Sequence, residues 1–313
     1  DRGSPAPEPR ERSLKKVFAD LIRERVRGRV LRDELLAPHT SLRVGGPADW
    51  FISPADLEDL RKLLELLADH GMPYLVIGGG YNLLVRDRGF RGAVISLEMF
   101  DRLELSEDGL IHAAAGIANR ALVDFALEKE RSGLEFLVGI PGRVGGALAM
   151  NAGAGGQSIT GPLDTLITLK GGDITTAGKG SLTYGYRCLR LAPGEVILEA
   201  VFRLEKGRRE EIGRRMDDFL AHRRAAQQVG YPNAGSFFKN TPSGPAWRFI
   251  EAAGLRGCRV GGAQVSEVHA NFLVNRGGAT AADFLSLAAR IKEKVREDSG
   301  VELEEEVRIV GEG

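Results

Sequence analysis

Cysteine is scarce in this chain. Cys188 and Cys258 are the only two among 313 residues. Two thiols cannot staple a disulfide framework, and the compartment they imply is a reducing cytoplasm. An excess of charge of either sign is missing as well. Lys+Arg and Asp+Glu are both 43, so no global field draws the chain to a nucleic acid or an anionic membrane. No apolar run approaches the ~20 residues that span a bilayer. The opening DRGSPAPEPRERSLKK is polar and lacks the apolar core of a secretion signal, so residues 1–12 read as a disordered leader. His39, His70, His112, His222 and His269 show no metal-ligand spacing, and no metal is expected. Nothing in the sequence calls for an obligate protein partner.

What the chain has in excess is glycine. The 41 glycines make up about 13% of the residues, against about 7% in an average protein, and they cluster. The first cluster follows a well-marked helix. Ser53 is placed to cap that helix, Pro54 suits its first turn, Leu57, Leu60, Leu63, Leu64 and Leu67 form its apolar stripe, and Gly71 ends it. PYLVIGGG then reads as a buried strand running into a glycine loop, with short strands at LLV and GAVISL. An earlier helix is marked by Leu14, Val17, Phe18, Leu21 and Ile22, so the folded part is expected to begin near Ser13.

Further along, residues 103–115 read as a hairpin around Asp108-Gly109, followed by a helix over 118–129. The second glycine cluster, GLEFLVGIPGRVGGALAMNAGAGG, spans 133–156. Strand signals resume at LITLKGGDITT, LTYGYRCL and VILEAVFRL. The charged helical stretch GRREEIGRRMDDFLAHRRAAQQ marks a boundary. Beyond it come a helix over 246–253, strands at GAQVS and ANFLVN, and a helix capped by Thr280 that buries Phe284, Leu287, Ala288, Ile291 and Val295. The last element is the strand VELEEEVRIVG.

Side-chain-free backbone can approach a phosphate closely, and its N–H groups can converge on an anion. VIGGGYNLLV has that character. It is not the dinucleotide fingerprint of a doubly wound sheet, because Leu83 stands where the third glycine belongs, and it has no Gly-Lys-Ser/Thr. In the second cluster Gly139, Gly142, Gly145 and Gly146 interrupt an apolar segment, which neither helix nor strand tolerates without reason. Two such loops some 60 residues apart suit a long dinucleotide with a pyrophosphate and a ring system. The residues alone leave flavin and nicotinamide equally open.

HTSLRVGGPADWF (39–51), VIGGGYNLLV (76–85), GLEFLVGIPGRVGGALAMNAGA (133–154), YGYR (184–187), YPNAGSFFKN (231–240), GGAQVSEVHANFLVN (261–275) and EEVRIVGE (305–312) occur in this order. Together they resemble the UDP-N-acetylenolpyruvoylglucosamine reductase family of bacterial peptidoglycan synthesis. The short path from YGYR to YPNAGSFF resembles its compact type, which lacks an extra substrate loop. The resemblance implies an α+β fold: a FAD-binding domain of the vanillyl-alcohol-oxidase type over 13–207, in two subdomains of roughly 13–100 and 101–207, then a substrate domain over 208–313. It implies non-covalent FAD and NADPH as hydride donor. FAD would be held by Arg43, Gly45, Gly46, Gly78, Gly79, Gly80, Asn82, Gly139, Gly142, Gly145, Gly146 and Asn151. The sequence departs from the family pattern at Tyr81, where serine is usual, at Ala154-Gly155-Gly156 and at Leu189.

The same resemblance implies the catalytic set Arg187, Ser236 and Glu306, with Tyr186, Arg223, Lys239, Asn240 and Arg308 on the substrate. The chemistry suits these residue types. A guanidinium keeps its charge and meets a carboxylate with two parallel bonds. A carboxylic acid in an apolar cleft can stay protonated. A serine hydroxyl is a weak acid, but a carbanion-like carbon is a strong base, and a donor that is neutral at rest is adequate for it. Phe237 and Phe238 are expected to keep water away. An oxidase of the same flavin fold, or a nucleotide-sugar binding module without catalysis, would lack reason to keep all three.

Overall fold

Leu60, Leu63, Leu66 and Leu67 are fully buried along one side of the helix Leu57–Asp69. Each is worth about 1.5–3 kcal/mol of apolar burial. The helix is capped by Asp56, whose carboxylate accepts from the Asp59 N–H at 2.9 Å. Ser53, the expected cap, instead ends the preceding strand and donates to Glu98. A computed structural model describes residues 18–227 and 229–313. The leader and the helix start at Leu14 and Val17 lie outside the described residues. Residues 18–25 are helical, with Phe18 and Ile22 buried.

Helix Leu57–Asp69 flanks a four-stranded sheet with spatial order Arg29–Leu35, Pro47–Ser53, Phe90–Ser96, Tyr74–Ile77. The first pair is antiparallel and the other two are parallel. Both Ile77 and Ser96 are therefore C-terminal ends of parallel strands. That edge of a sheet is where α/β folds generally take ligands, and here the first glycine loop leaves it.

The second subdomain is a five-stranded antiparallel sheet. Its order is Asp173–Gly178, Leu163–Lys170, Val196–Phe202, Ile111–Ala114, Leu103–Leu105. Asn119–Glu128 forms a helix beside it. The second glycine cluster is more ordered than its sequence suggests: a 3-10 turn at Glu135–Gly139 and a short helix at Val144–Ala149. The two subdomains share one apolar core, in which Trp50, Leu63 and Ile95 meet Ile111, Leu166 and Phe202.

Charged helix Arg209–Gln227 was expected to open the substrate domain. Its Ile212 and Met216 are buried in the shared core of the preceding subdomains, and by packing it sides with them. The third unit has its own core of Phe237, Phe238, Ile250, Leu273, Phe284, Leu287 and Ile291. A sheet ordered Asn233–Ser236, Phe272–Asn275, Ala263–Val265, Arg259–Val260 packs there against the helices Ala246–Ala252 and Ala281–Ser299.

The third unit is tied back to the first at several points. Leu42, Val44 and Leu84 belong to its core. Asn275 donates to the Leu42 carbonyl at 3.0 Å. The Asp87 carboxylate accepts from the N–H groups of Ala281 and Ala282 at 2.7 and 2.9 Å, adding to the Thr280 capping box. Of the expected final strand only Arg308–Val310 is a ladder, and it pairs in parallel with Leu83–Val85 just after the glycine loop. Among the described residues no helix is long and apolar enough to cross a membrane.

Candidate active site

A cleft of 650 Å³ opens between the glycine loops and the third unit, and a second chamber of 480 Å³ adjoins it. Gly78, Gly79 and Tyr81 wall both. The chain as a whole is formally balanced in charge, yet the two chambers carry five arginines (43, 143, 187, 223 and 308) against Glu98 and Glu306. Such a surplus attracts a polyanion.

The wall has the shape of a cradle. Gly78 and Gly146 face each other from the two glycine loops: a Cβ on Gly146 would find only the Gly78 Cα, at 3.9 Å, within reach. Gly142 has a φ of +122° and also lines the cleft; Gly80, with φ of +66°, borders it too, but its missing Cβ leaves room for the His39 carbonyl. Asn119 was not expected here. It is buried, its Nδ2 donates to the Ile140 carbonyl at 3.1 Å, and its Oδ1 has no partner among the described residues. An unsatisfied buried acceptor on a cleft wall suits a ligand that brings a donor. A dinucleotide with a pyrophosphate and an N–H-bearing ring fits this set. Its signal in the sequence was slight, a polar residue at the first position of an otherwise amphipathic helix.

Arg187, Ser236 and Glu306 open into the same large cleft. Arg187 sits at the tip of the hairpin formed by Tyr184–Gly185 and Cys188–Leu189. Its φ is +55°, a left-handed conformation that costs a non-glycine residue about 1–2 kcal/mol. Its Nε is buried and lies 2.8 Å from Glu306 Oε1, with no aligned hydrogen-bond acceptor among the described residues. The contact is an ion pair within the cleft wall. Glu306 keeps only 9% of its side chain exposed. Burial holds its carboxyl above the usual range, overriding the opposing pull of Arg187 and Tyr186.

Ser236 ends its strand at a register shift beside Gly235, whose φ is +74°. The next carbonyl, that of Phe237, accepts from the Glu306 N–H at 2.8 Å, and Lys239 N–H donates to Glu304. The backbones carrying Ser236 and Glu306 are thereby fixed to each other. Phe237 and Phe238 are buried edge to face beneath them.

Tyr186 stays largely exposed; its hydroxyl reaches Glu306 Oε2 at 3.5 Å and accepts from Asn240 N–H at 3.4 Å. Arg223 and Arg308 line the cleft, and burial lowers the guanidinium pKa of Arg223. Lys239 pairs with Glu304, and the Asn240 side-chain Oδ1 accepts from Ala246 N–H at 3.3 Å, so both side chains are engaged by the protein.

Several residues expected on the cofactor are engaged by the protein itself. A Cβ on Gly46 would meet the Asp87 carbonyl at 2.1 Å, and one on Gly45 the Val85 side chain at 2.8 Å. Gly139 admits the Arg223 side chain and Gly145 packs on Ala115. The Asn82 side chain donates to the Glu306 carbonyl at 3.0 Å. Asn151 bonds to Gly185 and Thr160. Arg43 lines the smaller chamber, with φ of +58°.

Residues 48–198 match the model of the FAD binding domain, and residues 227–310 match that of the UDP-N-acetylenolpyruvoylglucosamine reductase C-terminal domain. The reductase of that name from Geobacter metallireducens is 58% identical over 93% of this chain and 97% of its own length. That from Geotalea uraniireducens is 60% identical over 91% and 95%. The chain belongs to the UDP-N-acetylenolpyruvoylglucosamine reductase family. The crystal structure of UDP-N-acetylenolpyruvylglucosamine reductase from Thermus caldophilus, 36% identical, superposes with a TM-score of 0.80 over 90% of this chain and 99% of that one. Family membership makes this chain a FAD-binding oxidoreductase with a FAD-binding domain followed by the family's C-terminal domain.

Proposed function

We propose that the chain reduces the enolpyruvyl ether of UDP-N-acetylglucosamine-enolpyruvate to UDP-N-acetylmuramate, with Arg187, Glu306 and Ser236 as its catalytic residues. FAD held in this cleft would supply the hydride that the terminal vinyl carbon of the substrate receives, with NADPH as the source of its electrons. The glycine wall of Gly78, Gly79, Gly142 and Gly146 would hold its pyrophosphate, and Asn119 would accept from its ring.

The protein's own task is the charge that follows. Hydride addition leaves the electron pair of the double bond on the carbon bearing the carboxylate, delocalised into an enolate. Arg187, which lines the cleft beside Glu306, faces that anion with a fixed positive charge. Glu306, biased toward its protonated form, hydrogen-bonds the enolate oxygen. The Ser236 hydroxyl gives its proton to the carbon, and the alkoxide left behind recovers a proton from solvent as product departs. Fixed donors in a cleft that excludes water stabilise such a charge more than solvent does. Arg223 and Arg308 are placed for the substrate's phosphates.

One observation carries this reading: Arg187, Glu306 and Ser236 come from three distant segments and open into one arginine-rich cleft walled by glycine. The test is the absorbance spectrum of the pure protein. Its yellow colour should bleach with NADPH and return on adding the enolpyruvyl substrate under nitrogen. Rapid return in air with no NADPH-driven turnover would favour an oxidase instead. Both cysteines are free, which fits a bacterial cytoplasmic enzyme.

A further inference from the structure

The hairpin that carries Arg187 has little to hold it. Tyr184, Gly185, Tyr186 and Cys188 are all exposed, its ladder is two residue pairs long, and Arg187 itself is in a left-handed conformation. A two-pair hairpin is not stable by itself in water, yet the proposed reaction needs a guanidinium fixed in place.

Beneath the hairpin lies a buried polar pair that nothing in the reaction uses. Asn151, 8% exposed, donates from Nδ2 to the Gly185 carbonyl at 2.8 Å. Its Oδ1 accepts from the Thr160 hydroxyl at 2.8 Å and from the Thr160 N–H at 3.4 Å. Thr160 is fully buried. The amide is therefore oriented from behind, with its oxygen tied to Thr160 and its nitrogen forced toward the hairpin. Asn151 also has a φ of +42°, a conformation that asparagine tolerates better than most residues. The bond lands two residues before Arg187.

We infer that Asn151, oriented by Thr160, is a positioning residue: its amide holds the Gly185 peptide and thereby aims Arg187 into the cleft. This rests on the role proposed above for Arg187.

The test compares Asn151→Gly, Thr160→Val and Thr160→Ser with the intact holoenzyme. Glycine keeps the left-handed backbone and removes only the side chain. Two half-reactions are followed separately: bleaching of the flavin by dithionite or NADPH, and return of its colour on adding the enolpyruvyl substrate. We expect Asn151→Gly and Thr160→Val to keep their FAD and bleach within twofold of wild type, while colour return slows about tenfold or more; Thr160→Ser restores the rate. Trypsin should also cut the hairpin after Arg187 or Arg190 several-fold faster in Asn151→Gly.

A double-mutant cycle separates positioning from general support. In an Arg187→Ala background, Asn151→Gly should add no further loss, because the group it aims is gone. Additive losses, equal slowing of both half-reactions, or wild-type colour return in Asn151→Gly would each overturn the inference. Wild-type colour return in Arg187→Ala alone would instead overturn the role of Arg187, and the inference with it.

Discussion

Asn82 and Glu306 stand 224 positions apart and are joined by one hydrogen bond, from the Asn82 side-chain nitrogen to the Glu306 carbonyl at 3.0 Å. The Arg308 N–H returns the connection by donating to the Asn82 carbonyl at 3.1 Å. The last residue of the glycine loop thus holds the acid of the proposed site, so the loop proposed to hold the cofactor also sets where the acid sits.

Replacing Asn82 by alanine leaves the Glu306 carbonyl without this partner, a loss of about 1–3 kcal/mol where the group is buried. Asn82→Ala should therefore slow substrate reduction about tenfold or more while the backbone pairing of Leu83–Val85 with Arg308–Val310 persists. Single-turnover return of flavin colour measures this. A rate equal to wild type would contradict the coupling.

Ser236 bears on one half-reaction only. Ser236→Ala should bleach with NADPH at close to the wild-type rate, yet its substrate reduction should fall by about 10²–10⁴, the usual worth of a placed proton donor. Loss of both half-reactions together would count against the proton-donor role.

The pH dependence of stability follows from Glu306. Its folded pKa is raised above the ordinary glutamate value, chiefly by burial. The protonated form is thus the one the fold prefers. That preference is fully present below the unfolded value and is lost as pH rises through the folded one. Glu306→Gln cannot ionise. The stability of wild type relative to Glu306→Gln should decline across that interval, measured by denaturant unfolding of cofactor-free protein at about pH 4 to 8. A constant difference would show that the acid is not held in this way.

Two glycines with similar sequence surroundings should behave oppositely. Gly146→Ala puts a methyl into the cradle, where the nearest protein atom is 3.9 Å away. It should leave the melting temperature of the cofactor-free protein unchanged or slightly higher, since alanine favours a helix, and weaken FAD about tenfold, or about 1.4 kcal/mol. Gly46→Ala meets backbone at 2.1 Å and should destabilise the fold by about 1–3 kcal/mol. Flavin titration and thermal unfolding separate the two cases.

That contrast also explains which parts of the site were legible in the sequence. A glycine cluster reports that something approaches the backbone closely, but not whether that is ligand or protein. Gly78 and Gly146 face the cleft, whereas Gly45, Gly46, Gly139 and Gly145 admit a strand, a side chain or a neighbouring alanine. Asn82 and Asn151 stood inside those clusters and were read with them, although their amides serve Glu306 and Gly185. Asn119 went unnoticed because helical periodicity does not register an acceptor left without a donor. The cap of the second helix moved from Ser53 to Asp56 because the strand before it runs through Ser53.

The ordered motifs carried the resemblance that named the family, and with it the α+β class and the flavin; composition and spacing taken alone went no further than a dinucleotide. Tertiary structure alone decided how these segments meet. The parallel pairing of Arg308–Val310 with Leu83–Val85 brings Glu306 to the glycine loop, and a buried asparagine holds the hairpin of Arg187. It also concentrated five arginines on a cleft of a chain whose charges balance. Contacts across more than a hundred residues depend on which apolar faces share a core, and no local pattern records that choice.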